Sequence, residues 1–153
     1  MTGGIMELKV KKLRGDAHIP TTQYGDAGYD LYAVEDVFLV HGKTTVVKTG
    51  IALQCPENMY AQIQDRSSMA VKSIRVLGGV VDEIYRGEIK VVLHNLGNRG
   101  EYNTEHEAFG YSIKRGDRIA QFVLLEYNKP RVLEVQELTT TGRGINGFGS
   151  TGT

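Results

Sequence analysis

The stretch Leu77-Gly78-Gly79-Val80-Val81-Asp82-Glu83-Ile84-Tyr85-Arg86-Gly87-Glu88-Ile89-Lys90 organises the reading of this chain. Two adjacent glycines open it, an apolar pair leads to Asp82, and a short polar run ends at Gly87. Beyond that, Ile89, Val91 and Leu93 alternate with Lys90, Val92 and His94. Period-two alternation after a Gly-containing connection predicts a β-hairpin with a buried face. Glycine lacks the Cβ that keeps a neighbouring group at a distance. Asp82, just past the pair, therefore stands where a carboxylate can act on whatever the gap holds. The plainer alternative is a tight hairpin in which Asp82 solvates the turn.

Outward from this stretch, short strand-like runs dominate. Met6 to Lys11 alternates; Val37 to Val40, Thr44 to Val47, Ile51 to Gln54 and Met59 to Gln64 follow, punctuated by Gly50 and Pro56. Asp65 to Lys72 suits one or two helical turns, with Ser and Asp able to cap the start. Gly97 to Phe109 reads as a polar surface loop, Asp117 to Tyr127 as a buried strand, and Arg131 to Glu137 as one more strand. The pattern predicts an all-β, jelly-roll-like sandwich or barrel with one short helix. Residues 1–140 form the β-domain in this reading. Residues 141–153 form a flexible Gly-rich arm, which buries too little apolar surface to fold by itself.

A chain of 153 residues suits one domain with a sizeable core. Its 18 Lys and Arg against 18 Asp and Glu argue against a broad nucleic-acid face. Cys55 is the single cysteine, so no intrachain disulfide forms, and it reads as core rather than nucleophile. The start Met1-Thr2-Gly3-Gly4 has no basic, then apolar, leader pattern, and no run is long and apolar enough to cross a membrane. The expectation is a soluble cytoplasmic protein.

Several familiar spellings fail on context. Gly142-Arg143-Gly144-Ile145-Asn146-Gly147 matches G-x-G-x-x-G, but the chain ends before the helix and acidic residue that a dinucleotide site requires. Gly42-Lys43-Thr44 lacks the opening glycine of a phosphate loop, since Val37 stands there. Glu105-His106-Glu107 has no partner His at ligand spacing.

Five stretches together resemble the five motifs of the trimeric dUTP diphosphatase (dUTPase) family. They are Ala27-Gly28-Tyr29-Asp30-Leu31-Tyr32-Ala33, Arg66-Ser67-Ser68-Met69-Ala70, Gly79 through Glu88, Gly116-Asp117-Arg118-Ile119-Ala120-Gln121, and Arg143 through Gly152, in that order. The resemblance implies a jelly-roll-like fold, a homotrimer with three shared sites, and Mg2+-dependent conversion of dUTP and water to dUMP and pyrophosphate. Asp65, Ile84 and Asn146 depart from the usual pattern.

The resemblance also distributes roles. Asp82 is the general base for the water attacking the α-phosphorus. Arg66, Ser67, Ser68, Gln121 and Arg143 grip phosphates, by charged forks, hydroxyls and amides suited to anionic oxygens. Leu77, Gly79, Val80, Val81, Tyr85 and Phe148 hold base and sugar, with Tyr85 against the deoxyribose. Asp30 supports the site from behind, and Asp117 orients Arg66. Gly147, Gly149 and Ser150 let the arm wrap the substrate. Magnesium is held by the substrate's phosphates and water, so no protein ligand is expected. Two alternatives remain: a dCTP deaminase on a related fold, and a regulator-binding scaffold using the loop from Arg99 to Tyr111.

Overall fold

The computed structural model describes residues 4–149. The elements run β1 (Lys9–Lys12), β2 (Tyr29–Tyr32), β3 (Val37–Val40), β4 (Thr44–Gln54), β5 (Met59–Gln64), α1 (Ser67–Ala70), β6 (Ile74–Leu77), β7 (Val80–Val81), β8 (Glu88–Asn95), β9 (Glu101–Asn103), β10 (Ala108–Ile113) and β11 (Arg118–Glu126). They form two four-stranded sheets, β1-β4-β8-β6 and β2-β11-β5-β7, and a three-stranded sheet, β3-β10-β9. All three contribute to one core: Val47, Ile89, Val91 and Leu93 from the first, Leu31, Ile63 and Phe122 from the second, Leu39 and Ile113 from the third. The fold is therefore an all-β, jelly-roll sandwich.

Alternation accounts for β8 residue by residue. Ile89, Val91, Leu93 and Asn95 are buried, and the residues between them are not. Each fully buried aliphatic side chain contributes about 1.5–3 kcal/mol. Asn95 is buried but satisfied: its Nδ2 donates to the Leu39 carbonyl at 2.9 Å and the Asn98 carbonyl at 2.8 Å, while Oδ1 accepts from Asn98 N. It thereby ties the first sheet to the third.

The structure redraws four elements. The expected hairpin divides between two sheets: β6 pairs with β8, Leu77 opposite Val92, whereas β7 pairs with β5, Val81 opposite Ala61. Gly78 and Gly79, at φ +72° and +110°, make the crossing. The two runs expected around Gly50 are one strand, β4, whose pairing with β8 shifts register between Lys48 and Ala52. A Cβ on Gly50 would stand 2.9 Å from Val34 Cγ2, so the glycine at this bulge also admits packing. The expected loop from Gly97 to Phe109 contains β9 and the start of β10, paired with each other. Residues 131–137 form no strand, because among the described residues no strand edge pairs with them; Val132 and Leu133 are 95% and 67% exposed.

Candidate active site

Asp30 is the hinge of the first cleft. It lies on β2, opposite Gln121 of β11. Its Oδ1 accepts from Arg66 Nε at 2.9 Å, and its Oδ2 accepts from Arg118 Nη1 at 3.4 Å. Arg66 and Asp30 retain 23% and 21% side-chain exposure, so the pair is screened less than a surface pair, and its charge-assisted bond contributes about 1.5–3 kcal/mol. Arg66 precedes α1 in an extended conformation, φ −87° and ψ 142°, with no side-chain cap on the helix. The expected capping by Asp65 does not occur. That carboxylate instead accepts from Val76 N at 2.6 Å and Arg75 Nε at 2.5 Å, fastening β6.

The cleft, about 340 Å³, is lined by Asp30, Arg66, Ser67, Arg118, Gln121 and the segment 21–28. Gly28 admits the Gln121 side chain, whose amide would collide with any Cβ there. Gln121 Nε2 donates to the Asp65 carbonyl at 2.9 Å, which leaves its second N–H free for a ligand. Arg118 and Gln121 are three apart on a strand and would ordinarily face opposite ways. The irregularity between Arg118 and Ala120 puts both on the cleft. Asp26 and Asp30 offset Arg66 and Arg118 in formal charge. Affinity for a polyanion here rests on aimed donors rather than on net charge.

Two further expected residues, Ser68 for phosphate and Asp117 for orienting Arg66, do not line this cleft. Ser68 and Asp117 line a separate hollow behind Arg66. The Ser68 hydroxyl accepts from Arg66 Nη1 at 3.2 Å, bracing the guanidinium. Asp117 accepts from Lys114 N at 2.8 Å, closing the turn before β11. Orientation of Arg66, expected of Asp117, is supplied by Asp30. The participation of Arg118 was missed, because regular strand geometry points it away from Gln121.

A second groove, about 250 Å³, opens where β6 and β7, edge strands of different sheets, are joined by the glycine pair. Leu77, Gly79, Val80, Val81, Asp82 and Tyr85 all line it. Because β7 is an edge strand, one side of its backbone has no ladder partner among the described residues and is open to a planar ligand. Gly79 is pressed onto β5: Ile63 N donates to its carbonyl at 2.7 Å, and a Cβ would stand 2.6 Å from the Ile63 carbonyl oxygen. The close approach expected of the glycines is thus made partly to the protein's own backbone. Asp82 is exposed at the rim. Tyr85 folds over Gly87, and its hydroxyl donates to the Glu88 carbonyl at 3.1 Å.

Most of the expected site residues outside the arm therefore fall into two clefts with no lining residue in common, while Ser68 and Asp117 lie in the hollow behind Arg66. The arm residues line neither. Arg143 Nε donates to the Asn146 carbonyl at 2.8 Å, and Phe148 and Ile145 are fully exposed. Gly149 has φ +84°, and Ser150 lies outside the described residues. Burial pushes the Cys55 thiol up, which keeps it inert. No His, Cys, Asp and Glu cluster able to hold a metal occurs among the described residues. Asp30, the carboxylate best placed in the first cleft, is already shared between two guanidiniums.

The jelly roll thus presents N–H and hydroxyl donors in one cleft, and an apolar, backbone-walled groove beside a carboxylate in another. The dUTPase family model matches residues 16–152. The deoxyuridine 5'-triphosphate nucleotidohydrolase of Paramecium bursaria Chlorella virus 1 is 45% identical over 147 residues, covering 95% of this chain and 97% of the relative. That of Clostridioides difficile is 41% identical over 149 residues, covering 95% and 97%. The Staphylococcus bacteriophage 80alpha dUTPase, solved with dUpNHpp, superposes with a TM-score of 0.83 at 29% identity, covering 96% of this chain and 99% of that one. A phage phi11 dUTPase variant, described with a structural Mg(II) ion, gives a TM-score of 0.75 at 26% identity, covering 86% and 97%. The chain belongs to the dUTPase family.

Proposed function

We propose that this chain hydrolyses dUTP to dUMP and pyrophosphate, at sites built between copies of the chain in a homotrimer. One observation carries the proposal: the phosphate donors and the carboxylate-bearing groove occupy different clefts of one chain. A cleft for phosphates on one subunit, set against a groove for uracil and deoxyribose on its neighbour, makes a complete site. The exposed apolar Val132, Leu133, Val135 and Leu138, uncovered in the single chain, also suit burial against another copy.

In this reading the triphosphate meets Arg66, held by Asp30 and Ser68, together with Ser67 and one Gln121 N–H. Magnesium arrives on the triphosphate as part of the substrate. Uracil enters the groove between Leu77 and Val81 and meets β7 backbone groups; a cytosine edge would oppose donor to donor, at about 1–3 kcal/mol for each unpaired group. Asp82 takes a proton from the water that attacks the α-phosphorus. The P–O bond to the bridging oxygen breaks, and pyrophosphate leaves. Tyr85 packs against the ribose ring where a 2′-hydroxyl would sit. The arm then closes, Arg143 on the γ-phosphate and Phe148 on uracil, excluding water. Residues 1–140 supply the fold and residues 141–153 the closing arm. The enzyme works in the cytoplasm, where its substrate is found.

A panel of dUTP, dCTP, dTTP and UTP, followed by pyrophosphate release, tests this. Turnover is expected for dUTP alone. Tyr85→Ala should raise kcat/KM for UTP relative to dUTP. Release of ammonia from dCTP, or no preference for dUTP, would contradict the proposal.

A further inference from the structure

Glu83 follows Asp82 directly, and no role in the chemistry above falls to it. Its side chain nevertheless makes the firmest contacts at the groove's rim. Glu83 Oε2 accepts from Tyr127 Oη at 2.5 Å and from Asn58 N at 3.1 Å. Both donors are themselves fixed: Tyr127 N donates to the Asn58 carbonyl at 3.1 Å, and the Tyr127 ring meets Tyr60 edge-on at 6.2 Å. One carboxylate oxygen thus joins the Asp82–Gly87 connection to the β4–β5 turn and to the end of β11. The hydrogen bond to Glu83 also pushes the Tyr127 phenol up, so it stays protonated and keeps donating.

The same connection is cross-braced from within. Tyr85 N donates to the Asp82 carbonyl at 3.0 Å, and Arg86 Nη1 donates to the Glu83 carbonyl at 2.6 Å and the Tyr85 carbonyl at 3.0 Å. Glu83 attaches this small braced unit to the β4–β5 turn and to Tyr127 after β11, while the Tyr85 hydroxyl attaches it to β8. Ile84, next in sequence, is 83% exposed and cannot anchor it by burial.

We infer that Glu83 is a positioning residue: held by Tyr127 and Asn58, it fixes the place of Asp82 and Tyr85 at the groove. The inference rests on the dUTP-hydrolysing reading, because its readout is dUTP turnover. In the full-length protein, Glu83→Ala should lower kcat about tenfold or more, and Tyr127→Phe severalfold, with KM for dUTP little changed, since a misplaced base slows chemistry more than binding. Glu83→Gln should restore most of the rate, because its carbonyl oxygen accepts from both donors. Glu83→Ala combined with Tyr127→Phe should be no slower than Glu83→Ala alone, since both break one attachment.

An unchanged kcat in Glu83→Ala, or losses that multiply in the double variant, would overturn the inference. If Glu83→Ala does not fold, Tyr127→Phe decides, because it removes only a hydroxyl; undiminished kcat there also overturns it. A wild-type chain that leaves dUTP intact would sink the functional reading and this inference with it. An active wild type beside unimpaired variants would sink only the inference.

Discussion

Asp82 is placed by the connection it belongs to, through the backbone on either side of it and the Glu83 attachment next to it. Gly79 is pinned to β5, and the Asp82 carbonyl accepts from Tyr85 N. Replacing the carboxylate with an amide should therefore leave the groove intact. Asp82→Asn is expected to bind a non-hydrolysable dUTP analogue as wild type does and to lose roughly 10²–10⁴-fold in kcat, the usual share of general-base assistance. Isothermal titration beside steady-state rates checks both halves, and a variant retaining a tenth of kcat would remove Asp82 from that role. At this scale the sequence was legible where motif residues distant in the chain come to line one cleft, as Asp30, Arg66 and Ser67 do. It was misleading wherever a side chain's direction depends on a local irregularity. Arg118 reaches the cleft only because β11 shifts register beside it. Asp117 closes a turn while Asp30 takes the guanidinium, a choice set by which strands lie adjacent and not by spacing along the chain.

At the scale of elements, alternation identified β5 and β8, because each has one face in the core and side chains follow a two-residue period, while β11 was legible from its apolar, β-branched run. It could not assign β6 and β7 to different sheets, since pairing is a long-range choice that period alone does not encode. The glycine pair carries that choice. Gly78 has φ +72° with open space beyond its Cα, while Gly79 has φ +110° and lies against the Ile63 carbonyl. Gly78→Ala should cost about 1–2 kcal/mol, the ordinary penalty for a left-handed residue. Gly79→Ala should cost more, adding the collision with β5, and should also weaken dUTP binding. Denaturant melts of the two variants provide the comparison; equal losses would mean that the contact with β5 does not hold β7 in place. The segment 131–137 was read as one more strand, yet a strand also needs an edge to pair with, and among the described residues it pairs with none.

The whole molecule explains why one chain looks incomplete. Its two clefts lie apart on one chain, and the described part of the arm is bonded within itself: Arg143 Nε to the Asn146 carbonyl, Gly144 N to the Thr141 carbonyl. Ordering such an arm costs about 1–2 kcal/mol per residue, so bound substrate must supply the compensating contacts. A chain ending at Thr140 should fold with Tm within about 2 °C of the full chain, since it loses no core contact, while turnover largely disappears. The central claim, a site assembled from several subunits, is tested most directly by co-refolding this truncated chain with full-length Asp82→Asn and measuring dUTP turnover. Where groove and arm come from different chains, equal random mixing gives about a quarter of sites both an intact Asp82 and an intact arm, so about a quarter of wild-type activity should return. A mixture that forms trimers yet stays as inactive as its two parents would contradict sharing of the arm between subunits.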